Sequence, residues 1–172
     1  QPKAHLWSPG IAAAALLLFY VLQWIPPVPL VLKQNLVGVA RSGYSALEYR
    51  DSWWGRTFKG KRLPWTQGHR VHYLNSIYAP EGVQARLQHR WWWFDDQTNR
   101  WVARDTIKLA IGQGGRKEGW RMYSFKSNLQ YGLWKVETAL EGRGTLGEFE
   151  FEILAEPMKL QDTTLWRRRE LH

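Results

Sequence analysis

The chain contains no cysteine. That single absence excludes disulfide scaffolds, thiolate zinc sites, iron–sulfur clusters and cysteine nucleophiles. It also contains no Gly-x-Ser-x-Gly stretch, so the nucleophile elbow of serine hydrolases is missing. Acidic residues are few: 15 Asp and Glu face 24 Lys and Arg, for a formal net charge of +9. Charge is absent altogether between Ala4 and Leu32. The abundant residue is tryptophan, with 12 copies in 172 residues. At ~100–200 residues per domain, this length holds one domain plus extensions.

The uncharged window contains Ile11-Ala-Ala-Ala-Ala-Leu-Leu-Leu-Phe-Tyr-Val-Leu-Gln-Trp-Ile25. Ser8 followed by Pro9 reads as an N-cap with proline at the first helical position. Pro26, Pro27 and Pro29 cannot donate the backbone bond a continuing turn needs, so they end the helix. A helix from Pro9 to Ile25 rises about 25 Å at ~1.5 Å per residue, near the ~30 Å hydrocarbon thickness. The reading is a single transmembrane helix, with Trp7 at one interface and Tyr20 and Trp24 at the other. A signal peptide or a buried core helix are the alternatives. A signal peptide fits poorly, because Lys3 is the only early charge and Trp24-Ile-Pro-Pro-Val-Pro29 is a poor cleavage site.

The excess charge is not spread evenly. Residues 63–156 carry twelve basic and eleven acidic groups, whereas residues 41–62 carry six basic and two acidic. The remainder is divided between Lys3 and Lys33 near the start and the Trp166-Arg167-Arg168-Arg169 stretch near the end. A nucleic-acid binder should be basic on the folded body itself, so nucleic acid is not an expected partner. Arg56, Lys59, Lys61 and Arg62, interleaved with Trp53, Trp54, Phe58 and Trp65, suit lipid headgroups or, equally, a solvated linker with packed rings.

Beyond residue 66 the hydrophobic period becomes two. Val71–Tyr78, Gln84–Phe94, Arg100–Ile111, Trp120–Lys126, Leu133–Leu140 and a strand carrying Phe149, Phe151 and Ile153 between Glu148, Glu150 and Glu152 are separated by turn signals. One apolar and one wet face per strand predicts an antiparallel β-sandwich, immunoglobulin-like, of six to seven strands. The expected organisation is therefore mainly β: a transmembrane helix and Pro-rich exit over 1–32, a basic and aromatic juxtamembrane linker over 33–66, the sandwich over 67–156, and a basic tail over 157–172. A short helix is conceivable around Gly43–Trp54.

Little points to chemistry. His69 and His72 fall on opposite faces of an extended chain and have no third ligand in view, so no metal is expected. His89 shares a face with Leu87 and Trp91, as a core histidine does. Asp95 and Asp96 sit in a turn, where aspartates cap loops. Gly112–Gly119 precedes a strand rather than the helix N-terminus of a phosphate loop, which leaves a hairpin with weak anion binding by Arg116 and Lys117. No catalytic residue and no cofactor are expected. Trp91 and Trp93 alternate with Trp92 and Phe94, so if the first pair is core the latter two take the opposite, potentially wet face, where aromatics favour protein contacts or sugar stacking unless loops or the 41–65 segment cover them. Trp92, Phe94, Arg116, Lys117, Trp166, Arg167, Arg168 and Arg169 are the candidate partner-binding residues. Trp7, Tyr20, Trp24, Trp53 and Trp54 are the candidate membrane-interface residues.

Several segments form an ordered set: Ile25-Pro-Pro-Val-Pro-Leu30, His89-Arg90-Trp91, Gly114–Asn128, Gly132-Leu-Trp-Lys-Val136 and Phe149-Glu150-Phe151. Together they resemble the bacterial domain of unknown function 2914 in the form attached to membrane spans, from about Leu6 to Glu152. The resemblance implies several preceding spans and a periplasmic C-terminal domain in the bacterial inner membrane. The local charge count, with Lys33 and Arg41 outweighing Lys3, favours the cytoplasmic side instead; the resemblance is given more weight because it draws on loops upstream of this stretch. It implies no activity. The expected function is a non-catalytic, membrane-anchored accessory subunit docking on a larger membrane complex, photosynthetic or respiratory. The alternative is a periplasmic binding module for glycan or another anionic polymer.

Overall fold

The structure, a computed structural model, describes residues 8–21, 30–50, 61–79, 84–111 and 119–171. One helix, α1 (Ser8–Val21), precedes ten strands: β1 (Val31–Ser42), β2 (Ser45–Tyr49), β3 (Lys61–Pro64), β4 (Val71–Tyr78), β5 (Ala85–Asp95), β6 (Arg100–Ile111), β7 (Trp120–Lys126), β8 (Gly132–Leu140), β9 (Thr145–Leu154) and β10 (Trp166–Glu170). They form two five-stranded sheets. Sheet I has the order β10-β2-β1-β4-β7 and sheet II the order β3-β9-β8-β5-β6. All neighbours are antiparallel except β3, which runs parallel to β9.

The alternation along each strand explains why the two sheets face one another. On β9, Phe151 and Ile153 are buried while Glu148 is exposed. Val37 of β1 and Tyr73 of β4 meet Trp91, Trp134, Val136 and Phe151 of sheet II in one apolar cluster. A second cluster, centred on Ile77, Leu87, Ile111 and Met122, continues this interior toward the other end of the strands. Burying one face of each sheet removes the larger apolar set from water.

The two-layered β architecture agrees with the sequence reading, but its extent differs. Among the described residues there are ten strands rather than six or seven. The stretch 33–66 is no linker, because β1, β2 and β3 lie in it. Nor is 157–172 a free tail, because β10 pairs with β2 from Trp166↔Tyr49 to Glu170↔Ser45. The conceivable helix near Gly43–Trp54 is instead β2 over its described part. These strands escape the alternation test for a physical reason. On β2 the outward positions are Ala46 and Glu48, and on β10 they are arginines, so neither shows a clean apolar stripe. Backbone pairing, the Glu48 carboxylate and the buried Trp166 ring hold β10 instead.

Trp65 and Trp166 are corrected likewise. Each is buried in the sandwich, and each indole N–H donates to a backbone carbonyl, of His69 at 2.9 Å and of Lys159 at 3.0 Å. Lys61 is drawn to Glu48 at 3.1 Å and Arg62 to Glu152 at 3.2 Å. α1 is apolar but spans 14 residues, about 21 Å at ~1.5 Å per residue. Among the described residues no helix is long and apolar enough to cross a membrane; residues 22–25 of the expected span, with Trp24, lie outside them.

Candidate functional site

Trp7, Trp24, Trp53, Trp54, Arg116 and Lys117 lie outside the described residues, and Tyr20 is described only as part of the α1 backbone. Trp92 and Phe94 do take the outer face of sheet II, each half-buried. Phe94 meets Trp101 edge-to-face at 5.2 Å, and the Lys135 ammonium stands 4.8 Å above the Trp101 ring. The indole nitrogen of Trp92 is buried with no hydrogen-bond partner. The register slips between Trp91 and Trp92, so Trp91 is sealed whereas Trp93 is half-buried under the Arg104 guanidinium. Arg167, Arg168 and Arg169 contact Glu48 or Ser45 on β2.

Two clusters of polar side chains stand out. The first lies between the sheets. Asn75, His89 and Thr138 are fully buried and Ser124 nearly so. His89 shares hydrogen bonds with Ser124 Oγ (Nδ1, 2.8 Å) and with Asn75 Nδ2 (Nε2, 3.0 Å). Asn75 Nδ2 donates to Thr138 Oγ1 at 2.8 Å, the Tyr73 hydroxyl lies 3.1 Å from the same oxygen, and Trp91 Nε1 donates to Ser124 Oγ at 3.1 Å. Hydroxyl, imidazole and amide in sequence have the connectivity of a nucleophile relay. Burial, however, pushes His89 down to about 3 and Tyr73 up to about 12. An imidazole that acidic is a poor acceptor for a serine proton near neutrality. The cluster ties Tyr73, Asn75 and Ser124 of sheet I to His89, Trp91 and Thr138 of sheet II.

The second cluster occupies the outer face of sheet I. Register places Gly38, His72 and Phe125 side by side across β1, β4 and β7, with Leu36, Leu74 and Tyr123 in the next row. Leu36, Ala46, Leu74 and Leu171 form a small buried floor. Tyr78, Tyr123 and Phe125 stay 37%, 39% and 41% exposed, unusual for rings of this size. Each carries a cation: Arg41 lies 3.8 Å over Tyr123, Arg70 4.7 Å over Phe125 and Lys33 5.2 Å over Tyr78. Arg121 approaches Tyr44 at 5.7 Å. His72 sits among them, 5.7 Å from the Phe125 ring. Burial first, then Arg41 and Arg70, push it down to about 4. Its Nδ1 and the Nε of Arg41 are buried without a hydrogen-bond partner.

The two outer faces differ in electrostatic character. On sheet II the charges are matched, with Arg62–Glu152 at 3.2 Å, Lys135–Glu148 at 3.2 Å and Lys108–Glu141 at 2.9 Å. On the outer face of sheet I, Glu48 is engaged by Lys61, Arg167 and Arg169. The outer face of sheet II thus carries matched ion pairs, and the outer face of sheet I carries cations seated on aromatic rings. Sequence reasoning missed this second cluster. Its signal was available in Arg121, Tyr123 and Phe125, spaced by two on one strand face.

Residues 84–153 match the model of a family described as a protein of unknown function (DUF2914). The match takes in four of the five segments on which the resemblance rests and leaves out Ile25–Leu30, so it is shorter than the likeness read from the sequence. No curated protein matches the chain. Among solved structures, an immunoglobulin-like protein from Pseudomonas aeruginosa is 11% identical, with a TM-score of 0.36 over 69% of this chain and 97% of that one. A β-glucosidase from Listeria innocua, in complex with isofagomine, is 15% identical, with a TM-score of 0.39 over 67% of this chain and 17% of that one.

Proposed function

We propose that this chain is a non-catalytic, membrane-attached docking module. Its working surface is the outer face of sheet I, set against an acidic surface of a larger membrane assembly. The carrying observation is the row of arginine and lysine groups stacked on half-exposed rings, facing away from a body whose other side is charge-matched. Cations over aromatic faces are held in place without a counter-charge, and Arg and aromatic residues dominate the energetics of protein interfaces. Attachment is supported by α1, in which Ile11, Leu17 and Leu18 are more than half exposed. An apolar helix in that state is stabilised by hydrocarbon or by another apolar helix. We place the sandwich on the periplasmic side of the bacterial inner membrane, on the strength of the resemblance.

The test is gentle detergent extraction of the full chain from its membrane, followed by mass spectrometry of co-purifying proteins. Arg41→Glu with Arg70→Glu should strip the partner, whereas Arg86→Glu and Lys108→Glu on the opposite face should not. Co-purification indifferent to both pairs removes the assignment of this face. Retention of the wild-type chain on an anionic polysaccharide column at physiological salt, with no protein partner recovered, favours the anionic-polymer reading instead.

A further inference from the structure

The cluster around His72 adjoins a groove that extends beyond the face assigned to docking. This groove, about 500 Å³, runs from Tyr123 and Phe125 around the free edge of β7 to Ile107 and Leu109 on β6, with Met122 in its wall. β6 and β7 are the edge strands of their sheets on this side of the sandwich, so the groove is the open seam between the layers. Arg41 and Arg70 stand over the Tyr123 and Phe125 rings at one end, and most of the remaining lining is apolar. That polarity matches an amphiphile.

We infer that this surface binds an anionic lipid, seating a phosphomonoester headgroup between Arg41, Arg70 and His72 and laying an acyl chain along the β6–β7 groove. Two fixed guanidinium charges favour a dianion over a single carboxylate, and guanidinium forks match phosphate geometry. Arg41 Nε is a donor and His72 Nδ1 becomes one when the ring is protonated; neither has a partner, so the anion satisfies groups that the protein leaves unsatisfied. Seating requires Arg41 to turn its head from the Gly43 carbonyl toward the phosphate, a side-chain rotation within a flexible residue. Among the described residues, the charged groups acting on His72 are Arg41 from the end of β1 and Arg70 preceding β4, with Tyr123 of β7 beneath the Arg41 head. Bringing a dianion among them reverses the local field and makes His72 easier to protonate.

The inference shares a face with the docking reading but does not depend on it: lipid binding with no protein partner would sink only the latter. The full chain in a non-ionic detergent is titrated with dihexanoyl phosphatidic acid, inorganic phosphate or dihexanoyl phosphatidylcholine, following the His72 ring and Met122 methyl signals by NMR. Phosphatidic acid should bind at least tenfold more tightly than either other probe, move both signals and raise the His72 titration midpoint by a unit or more. Inorganic phosphate should move only His72. Arg41→Gln and Arg70→Gln should each weaken phosphatidic acid at least tenfold, with Arg86→Gln as the unaffected control. Equal affinity for phosphatidylcholine, a silent His72, or indifference to the arginine substitutions overturns the headgroup seat. Equal affinity for inorganic phosphate overturns the acyl groove and reassigns the site to the free ion.

Discussion

His89 is held neutral in the fold because burial pushes it down to about 3, whereas an imidazole in an unfolded chain titrates near ~6.5. Between those values the unfolded chain binds a proton that the folded one refuses. Its contribution to stability is therefore complete above about pH 6.5 and is lost as the pH falls toward 3. For this fully buried group the loss is on the order of 5 kcal/mol, comparable with the whole stability of a small domain. His72, pushed down to about 4, has the same sign and overlaps the same window. The urea midpoint, followed by tryptophan fluorescence from pH 7 to pH 4.5, should fall steadily. His89→Leu should flatten that limb while costing ~1–3 kcal/mol at pH 7, since Ser124 and Asn75 lose their partner. An unchanged slope in the variant would show that the acid sensitivity arises elsewhere.

At the scale of strands, β10 is secured by Glu48. The carboxylate is almost fully buried and receives Arg167 at 2.9 Å, Lys61 at 3.1 Å and Arg169 at 3.4 Å. Burial alone would raise its pKa, but the hydrogen bonds from Arg167 and Lys61 and the nearby cations outweigh it and hold the group below the usual carboxylate range. Glu48→Gln leaves those cations around a neutral amide and should cost about 2–4 kcal/mol. Hydrogen exchange should show protection lost first at Arg167–Glu170, with β8 and β9 unchanged; uniform loss would mean that β10 is not separately latched. The contact between β1 and β2 is steric instead. A Cβ on Gly38 would lie within 2.4 Å of the Leu47 carbonyl, so Gly38→Ala forces two strands apart and should cost about 1–3 kcal/mol in thermal unfolding. Gly144→Ala, where a Cβ meets nothing within 4 Å, is the control.

These same strands mark what the sequence could and could not convey. β4, β6 and β7 were delimited to the residue because Val71, Tyr73 and Ile77, or Ile107, Leu109 and Ile111, repeat at two. β2 and β10 were not, because their outward positions carry charges whose partners lie 119 and 121 residues away. Local pattern has no access to a pairing at that separation. For the same reason the cationic face stayed hidden: Arg41, Arg70 and Arg121 become neighbours only through the order of strands in sheet I.

Taken as a whole molecule, the sandwich draws its two layers unequally from the chain. The family match over residues 84–153 spans β5 to β9, which supplies four strands of sheet II but only β7 of sheet I. Without β1, β2, β4 and β10, the inner face of sheet II would present Trp91, Trp134 and Phe151 to water, all at 1% exposure or less in the intact fold. A polypeptide limited to 84–153 should therefore bind ANS strongly and sediment as aggregates, whereas the full sandwich should do neither. A monomeric, cooperatively melting 84–153 fragment would refute this dependence between layers.

The bond between Glu48 and the arginines of β10 also imposes an order on biosynthesis. Once it has left the ribosome, the glutamate must wait while more than a hundred further residues are polymerised before Arg167 arrives. Until then β2 is a bare edge open to promiscuous pairing. Completion of this layer is thus deferred until nearly the whole described chain has been translated, and a nascent chain stalled short of Trp166 is the species that quality control should meet.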